Sequence, residues 1–237
     1  AEYDALFVEL TALEAAHPEL VTGDSPTQTV GGTRGELFDP VTHLARMLSL
    51  DNVFSATELA EWIARVERDL EGFPALLCEL KVDGLAVDLG YRDGRLSTIA
   101  TRGDGRIGED VTANVPWLEC VPEQLTAPAN GPAVPRELEV RGEVYFALAD
   151  FAEINDRMLA AGRTPYANPR NAAAGTLRQR IDRRVTELAA AVAAGSTRVA
   201  RLRAELERAT DLLGRLRVVI HGVGVVEGFE VTAQSAA

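Results

Sequence analysis

The stretch CELKVDGLAV, residues 78–87, holds the single lysine of this chain, Lys81, against 23 arginines among 24 basic residues. A lysine amine can lose its proton and attack an electrophile, whereas a guanidinium stays charged at any ordinary pH. A general bias toward arginine tends to erase a lysine with no task, so Lys81 is the first candidate for chemistry. Glu79 and Asp83 stand two positions to either side of it. In an extended chain these three share one face, while Cys78, Leu80 and Val82 share the other. The stretch ELEVRGEVYF, residues 137–146, repeats the pattern: Leu138, Val140 and Val144 point one way and Glu139, Arg141 and Glu143 the other. Two strands of this kind describe a sheet lining a polar cleft. The same alternation also fits a solvated face with ordinary ion pairs, each worth about 0–1 kcal/mol.

Carboxylates beside an amine favour its protonated form, which opposes attack; desolvation or a bound divalent cation pushes the other way. A nucleophilic Lys81 therefore calls for a metal or a closed site supplied together with substrate. Two reactions use such an amine: Schiff-base formation with a carbonyl, and attack on phosphorus.

The elements that must position these residues follow from the pattern. Tyr3, Leu6, Phe7, Leu10 and Leu13 recur at helical spacing, so residues 1–16 read as a helix. TGDSPTQTVGG, residues 22–32, is turn chemistry. Ser55 and Glu58 make a capping box for a helix ending near Gly72. Three strands are expected next, LLCELKVDG, LAVDLGY and LSTIATRG, the last two joined by a hairpin turn at Asp93-Gly94. Residues 126–135 read as a loop and 137–146 as a strand. Asp150 and Glu153 read as caps of a short helix stopping at Gly162. LRVVIHGVGVVEG reads as a last strand. Between a loop and that strand, Val185, Leu188 and Val192, then Val199, Leu202 and Leu206, are spaced as two helices interrupted at Gly195-Ser196. Residues 182–213 are thus expected to form an inserted helical hairpin.

The chain has 237 residues, enough for one large domain or one and a half. No apolar run approaches the roughly 20 residues that span a bilayer, so no membrane partner is expected. Cys78 and Cys120 make no metal or disulfide spacing and suit a reducing cytoplasm. The net charge of −12 argues against tight binding of nucleic acid by this chain unaided, because neutralising phosphates needs a basic surface.

KVDG, Lys81 to Gly84, resembles motif I of the covalent nucleotidyltransferases: DNA ligases, RNA ligases and mRNA capping enzymes. Its flanks are more specific. HLARMLSLDNVF, CELKVDGLAV, ATRGDGRIGEDVTANV, LEVRGEVYF, NPRNAAAGTLRQ and HGVGVVEG follow one another as in bacterial NAD-dependent DNA ligases. The resemblance covers nearly the whole chain apart from the helical insert. It implies an α+β nucleotidyltransferase fold, ATP-grasp-like, with antiparallel sheets flanked by helices and incomplete at its C-terminus. It implies that Lys81 attacks the α-phosphorus of NAD, giving a lysyl-AMP whose AMP passes to the 5′-phosphate of a DNA nick during replication and repair. Asp83 matches the motif I acid, and Glu143 the motif III acid near ribose and metal. Either could serve Mg2+ or Mn2+, with no firm metal ligand assigned. Glu79, Ser49 and Leu50 match the nucleotide pocket, Arg102 the arginine near ribose and phosphates, and His221 the ring stacked on adenine. Gly103, Gly105 and Gly108 either let backbone approach a phosphate or make a plain turn. Tyr3 and Asp4 match the end of the segment that holds the nicotinamide mononucleotide half. Arg170 and Arg178 match arginines facing DNA phosphates.

The resemblance divides the chain into a remnant of that N-terminal segment and linker at 1–37 and a partial adenylation domain at 38–237, with 182–213 inserted. The family's motifs IV and V each add a lysine, and none is present here, so an impaired fragment is expected. Zinc belongs only to the C-terminal modules of the parent. A cytoplasmic, nucleoid-associated monomer acting on nicked duplex DNA is implied. Two alternatives stand beside this reading: an ATP-dependent ligase or capping-type enzyme, against which NPRNAAAG counts, and a non-catalytic nucleotide-binding or interaction module.

Overall fold

The alternation read from residues 85–101 and 137–145 builds the sheet at the centre of the molecule. The computed structural model describes residues 2–22, 25–27, 37–48, 52–70, 72–129 and 131–228. In chain order the elements are α1 (Glu2–Ala16), β1 (Pro40–Thr42), α2 (Ala56–Asp69), β2 (Leu85–Arg92), β3 (Arg95–Thr101), β4 (Ile107–Glu109), β5 (Glu137–Tyr145), α3 (Leu148–Ala160), α4 (Pro169–Leu177), α5 (Ile181–Ala193), α6 (Val199–Gly214) and β6 (Arg217–Glu227). The protein is thus a mixed α and β structure with antiparallel sheets, as expected.

Four strands pair antiparallel in the order β3-β2-β5-β6, and β1 pairs with β4 in a separate two-stranded sheet. β2 turns into β3 at Asp93 and Gly94, whose φ angles of 48° and 75° are those of a tight I′-type turn. Across β2 and β5, Leu85 lies opposite Val144 and Arg92 opposite Glu137. This register puts Val87, Leu89 and Val144 on one face, where they meet Ala172, Ala173 and Leu177 of α4, Ile181 of α5, and Ala209 and Leu213 of α6. Each Leu or Ile so buried stabilises by about 1.5–3 kcal/mol. The helical hairpin forms close to its expected bounds, with its bend at Gly195 (φ 60°). Its base belongs to the core through Ile181, Ala209 and Leu213.

Several expectations are corrected. Residues 75–83 form no strand. Both edges of β2 are taken, by β3 and β5, so the segment cannot pair with the strand it leads into. The expected apolar face is open instead: Leu76 is 47%, Leu77 54% and Leu80 91% exposed. Residues 169–177, read as part of a loop, are helix α4. Asn168 Oδ1 accepts from the Asn171 N–H at 2.7 Å and Pro169 fills the first turn, a helix start written in the dipeptide Asn-Pro. α3 has no side-chain cap. Asp150 pairs with Arg217 at 3.2 Å and Glu153 with Arg215 at 3.0 Å, so long-range ion pairs take the carboxylates that the capping pattern claimed. α2 starts at Ser55 as expected, but Glu58 reaches the N–H of Phe54 and the helix ends at Asp69.

Candidate active site

Lys81 stands on the exposed segment before β2. That segment is anchored at its far end, where the Gly84 N–H donates to Glu143 Oε1 at 3.0 Å. Pairing of Ala86 with Glu143 places this carboxylate there. A Cβ at Gly84 would lie 2.2 Å from the Val144 carbonyl oxygen, so only glycine lets the chain pass so close to β5. Asp83 pairs with Arg170 at 2.9 Å; both are well exposed, so the pair is worth at most about 1 kcal/mol. The start of β2, the end of β5 and the first turn of α4 thus gather Asp83, Glu143 and Arg170, with Lys81 two positions along the chain from Asp83. The expected face of Glu79, Lys81 and Asp83 opposite buried Cys78, Leu80 and Val82 does not form, because no strand forms.

A second group lies on the polar face of the sheet. Residues 43–48 cross it and lead toward Ser49 and Leu50, which lie outside the described residues. Glu139, only 1% exposed, accepts from the Leu44 N–H at 3.0 Å and the Ala45 N–H at 3.4 Å. Arg141 donates to the Ala45 carbonyl at 2.9 Å and to Glu139 at 3.1 Å. His43 Nδ1 lies 2.8 Å from Asp88 Oδ2, and its Nε2 lies 3.1 Å from the carbonyl oxygen of Arg102. Arg102 follows β3, and its N–H donates to Ala86 O at 3.0 Å. In the turn beyond it, Asp104 accepts from the N–H groups of Arg106 and Ile107 at 2.9 and 2.8 Å. Of the two readings of its glycines, the turn is the one seen: a Cβ at Gly103, Gly105 or Gly108 would meet the Ile107, Met47 or Thr101 carbonyl oxygen. Their smallness is used on the chain's own backbone.

Glu79 and His221 line one cavity of about 320 Å³ with Leu89, Val140 and Val218. A cavity of about 210 Å³ holds Asp88, Leu44 and Glu139 on the opposite side. Strand alternation separates them, since Leu89 and Val140 face away from Asp88 and Glu139. The structure therefore brings Glu79 to His221 but not to the 43–48 segment or Arg102. Arg178 ends α4 and pairs with the buried Glu109 at 2.6 Å. Tyr3 and Asp4 fall in α1, and their side chains lie outside the described residues. Sequence reasoning missed His43 and Asp88. Asp88 interrupts an otherwise apolar strand, which was the available signal.

Among the described residues no cluster of three or more His, Cys, Asp or Glu side chains could hold a metal ion. Asp83 and Glu143 fit Mg2+ only in the way that ion is often held, by one or two carboxylates with water and substrate phosphates completing the shell. No helix among the described residues is long and apolar enough to cross a membrane.

Residues 36–195 match the family model described as the NAD-dependent DNA ligase adenylation domain. Residues 1–31 match that of the DNA ligase-like, N-terminal NAD+-binding domain. Similar proteins include one named DNA ligase from Frankia casuarinae, 53% identical over 237 residues, which is all of this chain and 29% of that protein. Another, named DNA ligase from Clavibacter sepedonicus, is 52% identical over 227 residues, 94% of this chain and 24% of that protein. The chain thus spans between 24% and 29% of the length of these relatives, and the first match runs through the helical hairpin. The chain belongs to the family of NAD-dependent DNA ligase adenylation domains.

Proposed function

We propose that this chain is the nucleotide-activating part of an NAD-dependent DNA ligase. Lys81 Nζ attacks the α-phosphorus of NAD. A nitrogen–phosphorus bond forms, the bond to nicotinamide mononucleotide breaks, and the amine gives up a proton. The AMP then passes to the 5′-phosphate of a nick in duplex DNA, and the 3′-hydroxyl displaces it to seal the strand. The observation that carries the reading is the single lysine in KVDG, anchored through Gly84 to the acid of RGEV.

In this reading the fold is that of the nucleotidyltransferases. Residues 1–37 belong to the segment for the nicotinamide mononucleotide half, with Tyr3 and Asp4 serving it, and 38–237 belong to the adenylation domain with 182–213 as an insertion. Ser49, Leu50, Glu79 and His221 surround the base, and Arg102 serves ribose and phosphates. Asp83 and Glu143 orient the reacting groups and would hold Mg2+ or Mn2+, which supplies charge neutralisation at phosphate when bound. Glu79 and His221 already share a cavity. Bringing Glu79 to Arg102 requires the 73–83 segment to move from this position. Arg170 and Arg178 exchange Asp83 and Glu109 for DNA phosphates. The protein acts as a cytoplasmic, nucleoid-associated monomer.

Intact mass measured after incubation with magnesium and either NAD or ATP tests this, on the chain and on a version extended to the relatives' length. An acid-labile AMP gained from NAD by the extended protein, and lost in Lys81→Arg, is expected. An adduct from ATP alone would sink the reading. Finding an adduct from neither nucleotide would support a non-catalytic nucleotide-binding module.

A further inference from the structure

Four charged side chains sit between the sheet and residues 43–48, and the proposed chemistry uses none of them. Asp88 comes from β2, Glu139 and Arg141 from β5, and His43 from the segment itself. The ring of His43 is fully buried and Asp88 nearly so. Asp88 Oδ1 is buried without a hydrogen-bond partner among the described residues, so Oδ2 and His43 carry all of this carboxylate's pairing. Removing an unpaired carboxylate from water is expensive, which makes the charge on its partner decisive.

The proton count follows from what each nitrogen faces. A carbonyl oxygen can only accept, so Nε2 carries a proton toward Arg102 O. Nδ1 faces a carboxylate oxygen, and a second proton lies between them. The imidazolium form satisfies both contacts. It also balances the cluster, two positive groups (His43, Arg141) against two negative (Asp88, Glu139). Among the described residues, β1 offers Val41 and Thr42 beside the ring, from β4 Gly108 packs at the ring edge while Glu109 pairs with Arg178, and Arg102 and Arg106 reach His43 through their backbone carbonyls. Burial by itself lowers the ring's pKa. The bonds to Asp88 and to the Arg102 carbonyl, with the charges of Asp88 and Glu139, outweigh it and hold the pKa above the ordinary 6.5.

The same ring touches three pieces of chain that the proposed nucleotide site needs held together. It belongs to the segment leading to Ser49 and Leu50, it is fixed to the sheet through Asp88, and it grips the backbone of Arg102. Met47 N–H donates to Gly105 O at 2.8 Å, closing the segment onto the turn beyond Arg102. Glu139 and Arg141 fix Leu44 and Ala45 from below.

We propose that His43, as an imidazolium bridging Asp88 and the Arg102 carbonyl, is a positioning residue that orders residues 43–48 and the Arg102 turn and thereby sets nucleotide affinity. Its nucleotide half rests on the ligase reading; its ordering half does not. The bridge is complete below the ordinary histidine value and is lost as pH rises through the raised one.

Two measurements test it. Nitrogen-15 NMR of the imidazoles in this chain has only His17, His43 and His221 to resolve, with His43→Gln identifying the signal. Two ring protons on His43 at pH 6.5, a titration above that value that drops in Asp88→Asn, and faster amide exchange at residues 43–48 and 102–105 in that variant are expected. A His43 ring with one proton at pH 6.5, or unchanged exchange in Asp88→Asn, overturns the assignment. In the extended protein, single-turnover lysyl-AMP formation in Asp88→Asn is expected to show about a tenfold weaker dependence on NAD concentration with the limiting rate within about twofold, and a wild-type KM that rises with pH. A fall in limiting rate at unchanged KM overturns positioning. If the wild-type extended protein forms no lysyl-AMP, the ligase reading fails and the nucleotide half falls with it, while the ring titration and exchange still decide the ordering role.

Discussion

At the scale of single residues, the candidate site divides by how its side chains are held. Glu143 spends one oxygen on the Gly84 N–H. Glu143→Gln keeps that acceptor but removes the charge, so adduct formation is expected to fall by about tenfold or more while the melting temperature moves little. Arg178 shows the opposite balance. It covers Glu109, which is 7% exposed, and Arg178→Ala removes this ion pair from a buried carboxylate. Since Arg178 is itself 40% exposed, solvent limits the loss to about 1–3 kcal/mol, checked by denaturant titration. The identity of Lys81, Asp83 and Glu143 as candidates was legible because their types and spacing are chemical statements. The buried network of His43, Asp88, Glu139 and Arg141 was half legible: alternation gave the charged face of β5, but burial depends on which segment crosses it, and that segment is more than 90 residues away in sequence.

At the scale of elements, local signals succeeded where the partner was local too. The Asp93-Gly94 turn, the α1 and hairpin periodicities and the Gly162 helix stop all depend on neighbouring residues, and all appear. The segment at 75–83 failed because a strand is defined by an edge to pair with, which its own pattern cannot supply. α4 was missed although Asn168-Pro169 spells its start. Asn168→Ala is expected to cost about 1 kcal/mol by removing the bond to the Asn171 N–H, and a comparison of thermal melts at one pH checks this. The loss matters beyond α4, because Asn114 donates to the Leu177 and Gln179 carbonyls at 2.7 and 2.9 Å and so reads the helix end that carries Arg178.

At the scale of the whole molecule, one apolar layer joins the sheet to α4, α5 and α6. Leu177 and Leu213 are fully buried in it. Leu213→Ala is expected to destabilise by about 2–5 kcal/mol, showing that the hairpin base is part of the core and no appendage. Leu80→Ser, at 91% exposure, is expected to change stability by less than about 0.5 kcal/mol while lowering the binding of an apolar dye. The His43–Asp88 bridge predicts that stability declines as pH rises above the ordinary histidine range, since the raised pKa belongs to the folded state, and that Asp88→Asn flattens this slope.

The anchoring of Gly84 on Glu143 turns Lys81, the proposed nucleophile, into the end of a short tether. Residues 81–83 are three links between the fixed point and the Cα of Lys81, a reach of about 10 Å when extended. Fixing each link costs about 1–2 kcal/mol of conformational entropy, and no strand pairing among the described residues has met that cost. In the proposed reaction, substrate binding meets it. Observed affinity for a nucleotide then understates the strength of the contacts made, by the cost of ordering three residues. A mutation that stiffens the tether would tighten binding without adding a single contact.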